Sequence, residues 1–243
     1  MKKIIDMLKS MTNSKKKVFA LALATCVIVL SIASSSIAYF TDTAKFTNTF
    51  TSGNVKIQLS EAEIQRDDVT GNVVAKNATT NRIVATSTAD GQQEYGSIFP
   101  KQTIFKDPTI TNTGKDAAYV GAVVTITSAD VDSVLSNEDL VKKFVTGLPT
   151  SEASVKVDID TTNNTITIYV VFTEALAANK DAVVFTGLKM DDNWDNDDMT
   201  KLNNLQIVVK AYAVQSAGMT EGAVKALQTA FNTESLIVFP DMT

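Results

Sequence analysis

The chain has 243 residues, with 22 basic and 27 acidic side chains, no histidine and a single cysteine. The missing histidine excludes Ser-His-Asp and Cys-His catalysis and the usual zinc sites. The net charge is −5, and the still more acidic balance of the chain after its lysine-rich start argues against nucleic acid and anionic lipid as partners, because both need a basic surface.

The first readable element is a targeting segment. Lys15, Lys16 and Lys17 precede an apolar run over residues 18–33, and Ser34-Ser35-Ser36-Ile37-Ala38 follows. A positive start, an apolar middle and small residues at Ser36 and Ala38 are the parts of a secretory signal peptide. Residues 1–38 are therefore expected as a signal peptide forming an N-terminal helix, cleaved between Ala38 and Tyr39. A permanent anchor is the alternative, since extending the run to Phe40 reaches the ~20 residues a spanning helix needs. Membrane contact is expected only through this segment while it is uncleaved. Cys26 follows Leu23-Ala24-Thr25, a loose likeness to a lipoprotein box, and is expected to leave with the signal peptide. Residues 1–38 carry six lysines and Asp6, so their removal leaves 16 basic and 26 acidic residues and a net charge of −10. Residues 39–243 are enough for one domain that relies on packing instead of disulfides.

What cleavage uncovers is a strand pattern. Phe40, Asp42, Ala44, Phe46, Asn48 and Phe50 alternate with Thr41, Thr43, Lys45, Thr47, Thr49 and Thr51. This period of two predicts an extended segment over 39–52, with one apolar face in search of a sheet. Gly53 supplies a bend, and Val55, Ile57 and Leu59 start the next strand. Residues 61–96 are polar, with weak strand signals at 69–75 and 82–88, and are expected as an inserted surface excursion containing a hairpin.

From Ser97 onward the elements are clearer. Pro100 opens a turn, a strand is expected over 104–111 with Pro108 marking an edge or bulge, and residues 118–127 form a nearly all-apolar strand. Asn137 caps a short helix over 137–145. Residues 155–172 read as a hairpin about Thr161-Thr162-Asn163-Asn164. Strands are expected at 182–188 and 205–214, a helix at 221–231 with Val224, Leu227 and Phe231 on one side, and a last strand or apolar tail at 236–239. Short strands separated by turns, with few helices, predict a mainly β, antiparallel sandwich.

One loop invites metal. Asp191, Asn193, Asp195 and Asp197 stand at alternate positions in the acidic run 191–198, as in the start of an EF-hand. The sixth position is Asn196 where glycine is needed, and the twelfth is Leu202 where glutamate is needed, so it is not an EF-hand. Carboxylates alone select calcium or magnesium, which makes calcium the one candidate cofactor. The competing reading is a solvated loop in which Asp197 or Asp198 starts a helix and Trp194 packs on the sandwich.

Three pieces together resemble the TasA/camelysin family of exported proteins. They are Ile37-Ala38-Tyr39-Phe40-Thr41-Asp42 with Thr47-Asn48-Thr49-Phe50-Thr51-Ser52-Gly53-Asn54-Val55; Phe99-Pro100-Lys101-Gln102 with Lys106-Asp107-Pro108-Thr109-Ile110-Thr111-Asn112-Thr113-Gly114 and Ala118-Tyr119-Val120; and Trp194-Asp195-Asn196-Asp197-Asp198-Met199 with Ala211-Tyr212-Ala213-Val214-Gln215. Lys101 stands where the family pattern has glycine, and the excursion over 61–96 matches no family feature. The resemblance implies a jelly-roll β-sandwich and processing by a signal peptidase of the SipW type. It also implies a secreted subunit of biofilm-matrix or cell-surface fibres, a homopolymer served by an accessory anchoring protein. In that family the N-terminal strand completes the sheet of the next subunit. Phe40, Ala44, Phe46 and Phe50 would then be the polymerisation face; the alternative is that the strand folds back into its own domain. A monomeric surface adhesin or fibre-anchoring protein is the second functional reading. A camelysin-like metalloprotease is the third; with no histidine to form H-E-x-x-H that activity is not expected, and no enzyme activity is assigned.

Overall fold

The structure is a computed structural model that describes residues 41–45, 47–48, 55–76, 81–84, 95, 97–232, 240 and 242, the first seven by backbone alone. Fifteen strands and four helices lie among these residues. In chain order the strands are β1 (Thr41–Lys45), β2 (Thr47–Asn48), β3 (Ile57–Ala62), β4 (Ile64–Arg66), β5 (Val73–Ala75), β6 (Arg82–Val84), β7 (Thr103–Phe105), β8 (Thr109–Asn112), β9 (Ala118–Thr127), β10 (Val145–Thr146), β11 (Ala153–Asp160), β12 (Thr165–Phe172), β13 (Asp181–Val183), β14 (Gly187–Lys189) and β15 (Gln206–Gln215). The helices are α1 (Val131–Val134), α2 (Glu138–Phe144), α3 (Asn196–Lys201) and α4 (Gly222–Asn232). The protein is mainly β, as expected.

Three sheets result. Six strands run β11-β12-β9-β15-β1-β2, five run β10-β14-β7-β5-β4, and four run β13-β8-β3-β6. Every pairing is antiparallel except β5 with β7. The six-stranded sheet follows directly from period-two sequences. In β9, Val120, Ala122, Val124 and Ile126 face one way and are fully buried, joined by Ile166, Ile168 and Val170 of β12 and Val209, Ala211 and Ala213 of β15. The other two sheets complete this core with Ile57, Leu59, Ile104, Ile110 and Leu188. Helix α2 adds Val141 and Phe144; Asn137 caps it by accepting from Leu140 N–H, as its sequence predicts.

The opposite face of the same sheet is also apolar. Val123, Val171, Tyr212 and Val214 pack there against Ala223, Ala226, Leu227, Ala230 and Phe231 of α4. This is why β9 reads as a nearly unbroken apolar run instead of a clean alternation. Burying a side chain such as Leu227 or Phe231 contributes about 1.5–3 kcal/mol. Gly121 permits the close approach, because a Cβ there would lie 3.0 Å from Leu227 Cδ1 and 3.1 Å from the Val170 carbonyl.

Several expectations are corrected. The single strand at 104–111 is two, β7 and β8, in different sheets, and the single strand at 182–188 is likewise β13 and β14. The partners change sheet together: β14 pairs with β7, and β13 pairs with β8. Pro108, which has no N–H to give a ladder, accepts at its carbonyl from Val184 N–H at the corner. The excursion is not wholly a surface feature. It contains a hairpin, β4 with β5, but β4 falls where no strand was expected, and the two expected strand segments do not pair: β6 joins β3 inside the four-stranded sheet. The expected continuous strand at 39–52 instead reverses between β1 and β2, with Lys45 opposite Thr47; alternation reports an extended backbone and not where it folds back. Residues 1–38 and 236–239 lie outside the described residues.

Candidate functional site

The sequence points first to the N-terminal strand. In β1 the backbone of Thr41, Asp42, Thr43 and Ala44 is opposite Val214, Ala213, Tyr212 and Ala211 of β15 in the same chain. β15 is paired over its whole length with β9 on its other side. Among the described residues, 206–210 of β15 has a ladder partner on the β9 side only. Ala44 is therefore located by its backbone, while Ala38, Tyr39, Phe40, Phe46 and Phe50 lie outside the described residues.

The acidic loop is organised by its own backbone. Asp191 accepts from Asn193 N–H at 2.8 Å. Asp195 is the N-cap of α3, accepting from Asp197 and Asp198 N–H, while Asp198 accepts from Asp195 N–H in return. This reciprocal capping box satisfies donors that a helix start leaves open. Lys201 donates to Asp198 at 3.1 Å and holds its carboxyl below the ordinary aspartate value, helped by the Asp195 N–H. Among the described residues no three His, Cys, Asp or Glu side chains converge as metal ligands. The competing reading of the loop fits this geometry: Asp198, one of the two residues expected to start the helix, closes the capping box from N3, while the cap itself is Asp195. Trp194 leans on buried Phe144, their ring centres 6.0 Å apart. It lines a shallow depression with Leu140, Lys143, Lys189, Asp191 and Asp192.

The most organised polar cluster is one that the sequence reading missed. It sits at the corner between β7 and β8, where Lys106 and Asp107 are both buried. Lys106 Nζ donates to both oxygens of Glu61, at 2.6 and 2.8 Å, and lies 3.4 Å from the Tyr95 hydroxyl. Lys106 and Glu61 side chains are only 6% and 5% exposed. Asp107 accepts from Ala62 N–H and from Arg82 Nη1, both at 2.7 Å. Arg82 also donates to Ser60 Oγ, the Ser60 carbonyl, the Asp107 carbonyl and Thr109 Oγ1. Burial, and then the charge of Glu61, push the Tyr95 hydroxyl far above its ordinary value, so it stays protonated.

Glu61, Arg82 and Tyr95 all come from the excursion. The chain's two arginines, Arg66 and Arg82, both lie there. Arg66 donates to the carbonyls of Gly71, Tyr95 and Ser97. One signal could have revealed the cluster. Two opposite charges set between apolar strand runs, with Pro108 next, must enter the interior and find counter-ions.

The quoted motif residues act structurally here. Gln102 is buried; it accepts from Phe99 N–H and donates to the Gly71 carbonyl. Asn112, fully buried, donates to the Asp116 and Leu176 carbonyls and accepts from Gly114 N–H. Lys101 adopts φ 67°, a left-handed conformation that glycine takes without penalty.

These features define a mainly β protein of three sheets with a buried ionic corner and an N-terminal strand laid on β15. Comparison with family models, curated proteins and solved structures finds no match to this chain.

Proposed function

We propose that this chain is a secreted, non-catalytic structural subunit of extracellular matrix or cell-surface fibres, related to the TasA/camelysin family and joined head-to-tail by its N-terminal strand. The observation that carries the reading is the position of β1 on β15. Withdrawing β1 would free the ladder groups of 211–214, next to the stretch 206–210 that is paired only with β9 among the described residues. An edge of this length accepts an extended segment by β-augmentation: backbone hydrogen bonds supply adhesion and alternate side chains fill pockets. Such a contact does not close on itself and so propagates.

The finer parts of the reading rest on the sequence patterns and on the family resemblance. They are a jelly-roll arrangement of the sandwich, a signal-peptide helix over 1–38 removed by a SipW-type peptidase, Phe40, Ala44, Phe46 and Phe50 as the joining face, and no required cofactor. Calcium at the 191–198 loop is the cofactor left to test. The second reading, a monomeric adhesin or anchoring protein, is favoured by one observation: β1 is paired within its own chain. Electron microscopy of the purified chain lacking residues 1–38, with and without residues 40–51, tests the proposal. Fibres from the first and none from the second are expected. Normal fibres from the deletion would overturn strand donation, and isolated molecules from the undeleted chain would favour the second reading.

A further inference from the structure

We infer that Lys106 and Glu61 are an intramolecular cross-linking site, at which the lysine amine and the glutamate carboxyl condense to an amide. The two groups are the best-buried ion pair among the described residues. Nζ lies 2.6 Å from Oε1 and 2.8 Å from Oε2, so it is held against the oxygen edge of this carboxyl and, among the described residues, no other. Asp107, the neighbouring carboxylate, is tied to Arg82 and the Ala62 N–H. That leaves Glu61 as the partner of Lys106.

The chemistry is redox-neutral and needs no co-reactant. A proton passes from the ammonium to the carboxylate, giving amine and carboxylic acid. Attack requires Nζ to move from the oxygen edge onto the face of the carboxyl group, where its lone pair forms the new C–N bond with Cδ. One carboxyl oxygen leaves with two protons as water. The Tyr95 hydroxyl, 3.4 Å from Nζ and kept protonated by its surroundings, is the group placed to pass the proton from nitrogen to the departing oxygen. Fixed neighbours of this kind react as if at very high concentration. Release of water to bulk and loss of two buried charges draw the reaction forward.

The bond would close a 45-residue loop and pin the end of β3 to the corner before β8. The single cysteine, Cys26, lies outside the described residues, so this amide would be the covalent tie of the described fold.

Intact mass of the purified full chain, followed by proteolysis and fragmentation of the peptides, tests the inference. The chain is expected one water lighter than its sequence, with a branched peptide joining Lys106 to Glu61. A full mass overturns the proposal, as does a water deficit mapped elsewhere, such as a succinimide at Asp90-Gly91. The double variant Lys106→Met, Glu61→Leu removes both charges together and so preserves the fold. It should show the full mass, and a persisting deficit would also refute the assignment. Tyr95→Phe should accumulate the bonded form more slowly; an unchanged rate removes Tyr95 from the relay.

Discussion

Arg82 Nη1 and Asp107 Oδ2 meet at 2.7 Å, although 25 residues separate them in the chain. The pair ties β6 of the polar excursion to the corner between β7 and β8. Breaking this partly buried pair leaves the survivor without its counter-charge. Asp107→Ala should therefore cost about 3 kcal/mol in urea unfolding. Arg82→Lys should recover only part of the wild-type stability, because an ammonium cannot reach Ser60, Asp107 and Thr109 together as the guanidinium fork does. Equal stability of Arg82→Lys and wild type would show that the fork is not needed.

Gly121 and Leu227 give a packing test. A Cβ at position 121 would meet Leu227 Cδ1 at 3.0 Å and the rigid Val170 carbonyl at 3.1 Å. Gly121→Ala should destabilise the protein by about 1–2 kcal/mol through overpacking. Trimming the partner with Leu227→Ala costs about 2–5 kcal/mol alone. The double variant should then be more stable than the sum of the single effects implies, and simple additivity would refute the contact.

Lys101 offers a stabilising change. Its φ of 67° favours glycine, so Lys101→Gly should raise stability by about 0.5–1 kcal/mol, with the larger entropy of unfolded glycine limiting the gain. Thermal melts of the two chains measure it directly.

The α3 cap predicts a pH response. The Asp198 carboxyl is held below its ordinary value of 3.8, first by the Lys201 side chain and then by the Asp195 N–H. A carboxyl depressed in the fold contributes fully above its ordinary value, and that contribution disappears as pH falls through the depressed value. Amide signals of 196–201 should be constant from about pH 5 to pH 8 and move only below about pH 4. Asp195→Asn should keep the helix start, whereas Asp195→Ala should lose it. Calorimetry with calcium on the wild type and on Asp195→Ala, Asp197→Ala tests the metal reading of the same loop. Heat released by the wild type alone would establish a site.

The register of β1 allows the proposed fibre joint to be tested by locking the strand at home. Asp42 and Ala213 are direct partners, so cysteines at both positions are within reach of a disulfide. If fibres need β1 to leave its own β15, the oxidised Asp42→Cys, Ala213→Cys chain should stay monomeric and assemble once reduced. Assembly at the same rate in both states would show that β1 never leaves home.

Local elements were readable where one physical signal dominates. The 155–172 hairpin has alternation plus Asp160 accepting from Thr162 and Asn163 N–H at the turn, and α2 has its Asn137 cap. Helix α1 escaped because four residues carry too little pattern. The strands at 104–111 and 182–188 each looked continuous because apolar spacing runs straight through the corner where the chain changes sheets.

The amino-acid order alone determined a histidine-free, acidic, mainly β chain, because composition and period two are local properties. Which strands share a sheet, where β1 lies, and that Glu61, Tyr95 and Arg82 gather around Lys106 and Asp107 were decided only in three dimensions. Ladder partners and buried counter-ions come from distant parts of the chain. Their pairing depends on which charges the core encloses, and no local spacing records that.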